Sequence, residues 1–201
     1  MKAKIAVLVS GGGTNLQALI DSVKSGIISD GEIAVVISSK ENAYAITRAR
    51  SCGIPYFVIN KKNISQTDFE NAITKILDEY DVDLIVLAGF LCVLSADFTT
   101  RYPNRIINVH PSLIPKFCGK GFYGLGVHEQ VLKNGDKYTG ATVHFVNEVP
   151  DGGEIISQKK VKVHKNDTAE ILQKRVMEKA EWKLLPKATQ KICKQIVKGK
   201  N

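Results

Sequence analysis

The segment Ile106-Ile107-Asn108-Val109-His110-Pro111-Ser112 puts an amide and an imidazole two residues apart at the end of an apolar run. On a strand, that spacing sends both side chains to the same face. Pro111 and Pro115 stiffen the exit, because each fixes its own φ and biases the residue before it away from helix. A hydrogen-bond donor beside a titratable ring suits acyl transfer, in which charge grows on an oxygen while a proton moves. The other reading is a core histidine beside a capping asparagine. Residue types alone leave both open.

Two other segments bear on that choice. Ser10-Gly11-Gly12-Gly13-Thr14-Asn15-Leu16-Gln17 follows an apolar run and opens a helical pattern. Glycines let backbone approach an anion, and a helix start offers free N–H groups with a favourable dipole. A dinucleotide fingerprint would need glycine where Leu16 stands, and no Gly-Lys-Ser/Thr follows to make a nucleotide-triphosphate loop. What remains is a single-phosphate site or a plain glycine turn. Pro150-Asp151-Gly152-Gly153 likewise reads as a turn, or as the source of a carboxylate, Asp151, that orients His110 and raises its pKa.

The elements that must position these residues alternate. Strand-like runs at Ile5–Val9, Ile33–Ile37, Tyr56–Ile59, Leu84–Ala88 and Ile106–Val109 are separated by helical patterns at Asn15–Ile20, Ala43–Arg50, Asp68–Tyr80 and Ala96–Arg101. That β-α rhythm predicts a Rossmann-like, mostly parallel sheet flanked by helices on both faces. In Rossmann order the ends of the first, fourth and fifth strands meet near a switch point, where ligands bind. Those ends are Ser10–Asn15, Gly89–Leu91 and Asn108–His110. After Gly140, Ala141–Val146 and Ile155–Val163 read as two longer strands, followed by helices from Thr168 and from about Trp182.

With 201 residues the chain suits one domain, residues 1–201. No apolar run nears the roughly 20 residues that span a bilayer, and the N-terminus enters a strand without a signal-peptide pattern. A cytoplasmic protein without a membrane partner is expected. Cys52, Cys92, Cys118 and Cys193 are scattered, with no zinc-ligand spacing, and read as ordinary thiols. The net charge of +8 raises the question of nucleic acid. However, Lys187, Lys191, Lys194, Lys198 and Lys200 interleave with Ile192, Ile196 and Val197 as a solvated helix face does, and no aromatic ladder accompanies them. No nucleic-acid partner is expected, whereas attraction of a small anion fits.

Together the motifs resemble the phosphoribosylglycinamide formyltransferase family of purine synthesis. They are S-G-G-G-T-N-L-Q, L-A-G-F at Leu87–Phe90, N-V-H-P-S-L-I-P, T-G-A-T-V-H-F-V at Thr139–Val146, and D-G-G. The resemblance runs from about Lys4 to about Pro186. It implies the formyltransferase fold and transfer of a formyl group from 10-formyltetrahydrofolate to the amine of glycinamide ribonucleotide. In that chemistry Asn108 and a protonated His110 stabilise the formyl oxygen. Asp151 holds His110 and helps move the amine proton, and no metal is required. Gly13, Thr14 and Asn15 would bind the ribonucleotide phosphate, with Leu16, Gln17 and Glu181 completing the phosphate and ribose site. Phe90, Leu91, Cys92, Val93, Leu94, Asn108, Asn147, Val149 and Asp151 would line the folate side, in a monomer or homodimer.

The chain departs from that family at Cys92 and Gln66, where arginines are frequent, which alters the folate contacts. The glycine-rich stretch Phe117–Gly126 is longer than usual and reads as a mobile lid. His128 just beyond it either faces the ligand or lies on a helix surface; His144 reads as an ordinary strand residue. Rivals are a formyltetrahydrofolate hydrolase, expected to carry an extra N-terminal domain, and a tRNA formyltransferase, expected to carry an extra C-terminal one. A noncatalytic basic binding module is the third, and it would give Asp151 no role.

Overall fold

Residues along β1 (Ala3–Val9) alternate between two cores, which fixes the architecture. Ile5, Val7 and Val9 join one hydrophobic cluster, while Ala6 and Leu8 join another on the opposite face. A strand buried on both faces must be covered by helices on both. The computed structural model, which describes residues 1–62 and 64–200, shows that arrangement. Its seven-stranded sheet has the order β3-β2-β1-β4-β5-β6-β7, with β2 at Gly31–Ser38, β3 at Tyr56–Val58, β4 at Leu84–Leu87, β5 at Ile106–His110, β6 at Tyr138–Phe145 and β7 at Ile155–Lys162. β1 to β5 pair in parallel, whereas β5–β6 and β6–β7 are antiparallel.

Helices α1 (Thr14–Lys24), α2 (Tyr44–Ser51), α5 (Leu125–Lys133), α6 (Ala169–Val176) and α7 (Trp182–Lys200) cover the first face. On the second face lie α3 (Gln66–Glu79) and α4 (Ala96–Arg101), which bury Phe69, Ile73, Leu77 and Phe98. Ser65, Ser95 and Thr168 cap α3, α4 and α6 with their hydroxyls, which accept from the N–H groups of Asp68, Phe98 and Ile171. The lysines of α7 are exposed opposite its buried Leu184, Leu185, Ala188 and Ile192, so the basic stripe is a wet helix face. Among the described residues no helix is long and apolar enough to cross a membrane.

Two departures from the sequence expectation affect the site. The stretch Phe117–Gly126 is not loop throughout: Gly124, at φ 57°, ends it and α5 begins at Leu125. Between α6 and α7 the chain widens into a π turn at Met177–Glu181. Such turns are frequent at functional sites, and the hydrophobic spacing gives no sign of this one.

Candidate active site

Strand register assembles the site. β5 pairs with β6 so that Asn108 lies opposite His144, and His110 opposite Thr142. Val109 and Ile107 face the first core, as do Ala141 and Val143. Period-two alternation therefore puts Asn108, His110, Thr142 and His144 together on the other face. Thr142 holds the exit of β5: its hydroxyl donates to the Ser112 carbonyl at 2.7 Å and accepts from the Ile114 N–H at 3.2 Å. Ser112 in turn donates to the Lys116 carbonyl at 2.6 Å, and the Ile114-Pro115 peptide is cis.

The turn between β6 and β7 supplies the carboxylate. Asn147 accepts from the Val149 N–H at 3.0 Å, and the Gly152 N–H donates to the Val149 carbonyl. Gly153 leaves no room for a Cβ, which would fall 1.8 Å from the Phe145 carbonyl oxygen. Asp151 itself adopts φ 55°, a conformation that short polar residues tolerate. Asp151 is a turn residue, and the same turn aims its carboxylate back at β5 and β6. Its carboxylate lies 3.5 Å from His110 Nδ1, 3.5 Å from His144 Nε2 and 3.4 Å from Asn108 Nδ2.

The loop after β5 contacts this cluster. His110 Nε2–H donates to the Phe117 carbonyl at 2.8 Å, and the Gly119 N–H donates to Asp151 at 2.9 Å. His144 donates its Nδ1–H to the Phe145 carbonyl at 2.7 Å. Its Nε2 lies 3.2 Å from the Asn108 amide nitrogen. In the neutral ring Nε2 accepts from Asn108, and in the protonated ring it donates to Asp151.

Burial lowers the pKa of His110, and this outweighs the upward pull of Asp151 and of the Phe117 carbonyl. The expected net rise is thus reversed: the imidazole is only 4% exposed, and a charged ring there loses more hydration than one carboxylate at 3.5 Å restores. The lowered pKa favours the neutral ring, with Nε2 carrying its proton toward the Phe117 carbonyl. Burial pushes the Asp151 carboxyl up, but the His144 hydrogen bond, His110 and the Gly119 N–H bring it net below the ordinary value.

Two more histidine assignments change. His144 is 1% exposed and belongs to the cluster, brought there by antiparallel pairing opposite Asn108, which the sequence does not show. His128 lies on α5, yet it is fully buried with neither ring nitrogen hydrogen-bonded. Burial and His110 lower its pKa to about 4.

At the end of β1, Gly13 takes φ 70° and caps α1 with no side-chain bond, and the first turn of α1 holds no acidic residue. The N–H groups of the helix's first turn have no intrahelical acceptor. Asn15 donates to Glu181 at 2.7 Å, drawing the π turn onto the loop, while its own Oδ1 is buried without a partner. Burial raises the Glu181 pKa to about 7 against the opposing bond from Asn15. Thr14 makes a 3.7 Å contact to the Met177 sulfur. Leu16 and Gln17 follow in the first turn of α1. Leu16 is wholly buried in the core, leaving only its backbone for a ligand, and the Gln17 amide is engaged by Arg48 and Asp21.

The turn after β4 lies between these two centres. Gly89 adopts φ 74°, and the Leu91 N–H donates to Ser10 at 2.9 Å, tying this turn to β1. Phe90 stacks on Phe69 with ring centroids 6.3 Å apart. Leu91, Val93 and Val149 expose apolar surface, Cys92 is half-buried, and the Leu94 side chain belongs to the core beneath. Gln66 donates to Glu70 and to the Val93 carbonyl, so its amide braces this rim. Among the described residues no group of three or more His, Cys, Asp or Glu side chains could hold a metal ion.

An amide, an imidazole and a carboxylate beside an anion-ready helix start define a group-transfer site on an α/β sheet. Residues 3–189 match the formyl transferase family, and the chain belongs to that family. It is 44% identical over 193 residues to the trifunctional purine biosynthetic protein adenosine-3 of Gallus gallus, covering 96% of this chain and 18% of that protein. It is also 44% identical over 184 residues to the phosphoribosylglycinamide formyltransferase of Haemophilus influenzae, covering 91% of this chain and 84% of that one. The crystal structure of glycinamide ribonucleotide transformylase 1 from Symbiobacterium toebii superposes with a TM-score of 0.90 at 39% identity, covering 96% of this chain and 89% of that one. Within the family, then, the chain groups with the phosphoribosylglycinamide formyltransferases.

Proposed function

We propose that this chain transfers the formyl group of 10-formyltetrahydrofolate to the amine of glycinamide ribonucleotide, a step of purine synthesis. The products are formylglycinamide ribonucleotide and tetrahydrofolate. The observation that carries this reading is the convergence of Asn108, His110 and His144 on Asp151 within 3.5 Å. A noncatalytic binding module has no use for four such groups sharing one buried contact. Strands β1 and β5 flank β4, so their ends are separated by two interstrand spacings, about 10 Å. A phosphate held at one end can thereby present an amine at the other.

Gly13, Thr14 and Asn15 hold the phosphate through backbone N–H groups, and Glu181 meets the ribose. The formyl donor lies across Phe90, Leu91, Cys92, Val93 and Leu94, with Asn147 and Val149 on the facing turn. The amine nitrogen attacks the formyl carbon and forms the new C–N bond while charge passes to the formyl oxygen. The Asn108 amide donates to that oxygen, and His110 joins it once the Phe117 carbonyl releases Nε2–H. Asp151 receives the amine proton and, through His110 or a water, returns it to N10 of the folate as the old C–N bond breaks. One catalytic domain carries the reaction as a monomer or homodimer. Its four free cysteines fit a reducing, cytoplasmic setting.

Mixing the protein with glycinamide ribonucleotide and a 10-formylfolate, and following release of the deformylated folate, tests this. Release that depends on the ribonucleotide is expected. Equal release without it makes the protein a hydrolase instead.

A further inference from the structure

The glycine loop is held from behind by an arginine that the phosphate reading does not use. The Gly11 carbonyl accepts from the Ala45 N–H at 3.1 Å, and the Gly13 carbonyl from the Gln17 N–H at 2.9 Å. The Gly12 carbonyl between them accepts from Arg48 Nε at 2.9 Å. All three carbonyls of the loop therefore have donors from α1 or α2. Arg48 Nη1 also donates to Gln17 Oε1 at 3.0 Å, and its guanidinium lies over the Tyr44 ring, 5.1 Å from the centroid. The packing is close, since a Cβ on Gly13 would meet Ala45 at 2.7 Å and Arg48 at 3.3 Å.

We propose that Arg48 is a positioning residue for the phosphate loop. Its planar fork fixes the Gly12 peptide and the first turn of α1, and its charge lies against the loop that the phosphate reading uses. A lysine would keep the charge and lose the fork, because an ammonium cannot bridge Gly12 and Gln17 in one plane. The benefit of Arg48 is specific to an anionic group at the loop, unlike that of a merely structural contact. The inference rests on the reading of Gly13–Asn15 as the phosphate site.

The test compares wild type, Arg48→Lys and Arg48→Met by steady-state kinetics and calorimetric binding of glycinamide ribonucleotide. Arg48→Met is expected to raise the ribonucleotide KM and Kd roughly tenfold or more, the loss typical of a charge-assisted contact. Its kcat and formyl-donor KM stay within about twofold on this inference, and Arg48→Lys recovers part of the loss. With the unphosphorylated glycinamide ribonucleoside as substrate, the penalty disappears. A penalty of equal size on the ribonucleoside or the formyl donor makes the residue structural and overturns the inference, as does an unchanged ribonucleotide KM. Should Arg48→Met fail to fold, Arg48→Gln is read by the same criteria. If wild type itself fails to bind the ribonucleotide, the phosphate reading falls. If wild type binds but the variants bind equally well, only the role of Arg48 falls.

Discussion

His110 and Asp151 face one another across 3.5 Å, Nδ1 to carboxylate, while the far side of the same imidazole is tied to the Phe117 carbonyl. With Nε2 carrying the ring's proton, Nδ1 is free to take a second one, and Asp151 is the group that steadies it there. A proton reaching this pair can thus be held by either partner. The loop after β5 contacts both, through Phe117 and Gly119, so the loop and the proton-carrying pair form one hydrogen-bonded unit.

The clearest consequence concerns Asp151→Asn. An asparagine preserves the shape of the turn and its contact with the Gly119 N–H, but it cannot accept the amine proton. General acid–base groups contribute about 10²- to 10⁴-fold, so kcat is expected to fall by that order. Binding of glycinamide ribonucleotide, which rests on the glycine loop, is expected to stay within about twofold. Single-turnover formyl transfer together with calorimetry separates the two effects, and normal turnover in this variant would refute the catalytic role.

His144 carries the second prediction. Its Nε2 is within reach of both Asn108 and Asp151, so His144→Leu leaves the Asn108 amide held only by its longer contact to Asp151. A loss in kcat of roughly tenfold is expected, with little change in either KM. Because Asn108 acts through the same contact, Asn108→Ala adds less in the His144→Leu background than in wild type. Coupling of about 0.5–3 kcal/mol is the usual range for residues in one network. Strict additivity would return His144 to the role of an ordinary buried strand residue.

The parts of this site that could be read in the sequence are those governed by periodicity. Alternating strands and helices gave the sheet, the i, i+2 spacing put Asn108 and His110 on one face, and chain order put the glycine loop at the switch point. The missing parts depend on register and burial between distant segments. His144 looks unremarkable until antiparallel pairing sets it opposite Asn108. Asp151 looks sufficient to raise the pKa of His110 until burial of the ring outweighs it. Likewise, the π turn that delivers Glu181 leaves no hydrophobic signature, and Arg48 is one of several basic residues until its fork is seen on Gly12.

Gly13→Ala tests how tightly the loop is built. At φ 70° a side chain is strained, and a Cβ would meet the Ala45 backbone at 2.7 Å. The two effects together are expected to cost about 1–3 kcal/mol of stability and to raise the KM for glycinamide ribonucleotide. Gly12→Ala is the stability control, since nothing lies within 4 Å of the Cβ it would add. Urea unfolding of the pair decides. Equal losses at both positions would mean that the packing of α2 against the loop does not set its conformation.

Glu181 and His128 make opposite contributions to stability as pH changes. The Glu181 carboxyl rises from 4.5 to about 7 on folding, so between those values the folded state keeps a proton that the unfolded state has released. Its contribution is therefore lost as pH rises through that window, by on the order of 3 kcal/mol at full ionisation. His128 falls from 6.5 to about 4, so in that window the unfolded state binds the extra proton and stability is lost as pH falls. The two nearly cancel between pH 4.5 and 6.5. Glu181→Gln keeps an acceptor for Asn15 and removes the ionisation, so this variant is expected to gain stability over wild type above pH 7. Below pH 6.5 its profile shows the unopposed acid loss from His128. His128→Leu, which replaces a buried ring that makes no hydrogen bond, gives the converse: stability declines from pH 4.5 to 7 without the acid loss. Urea midpoints at half-unit pH steps measure both curves, and a Glu181→Gln profile parallel to wild type would assign the titration to another group.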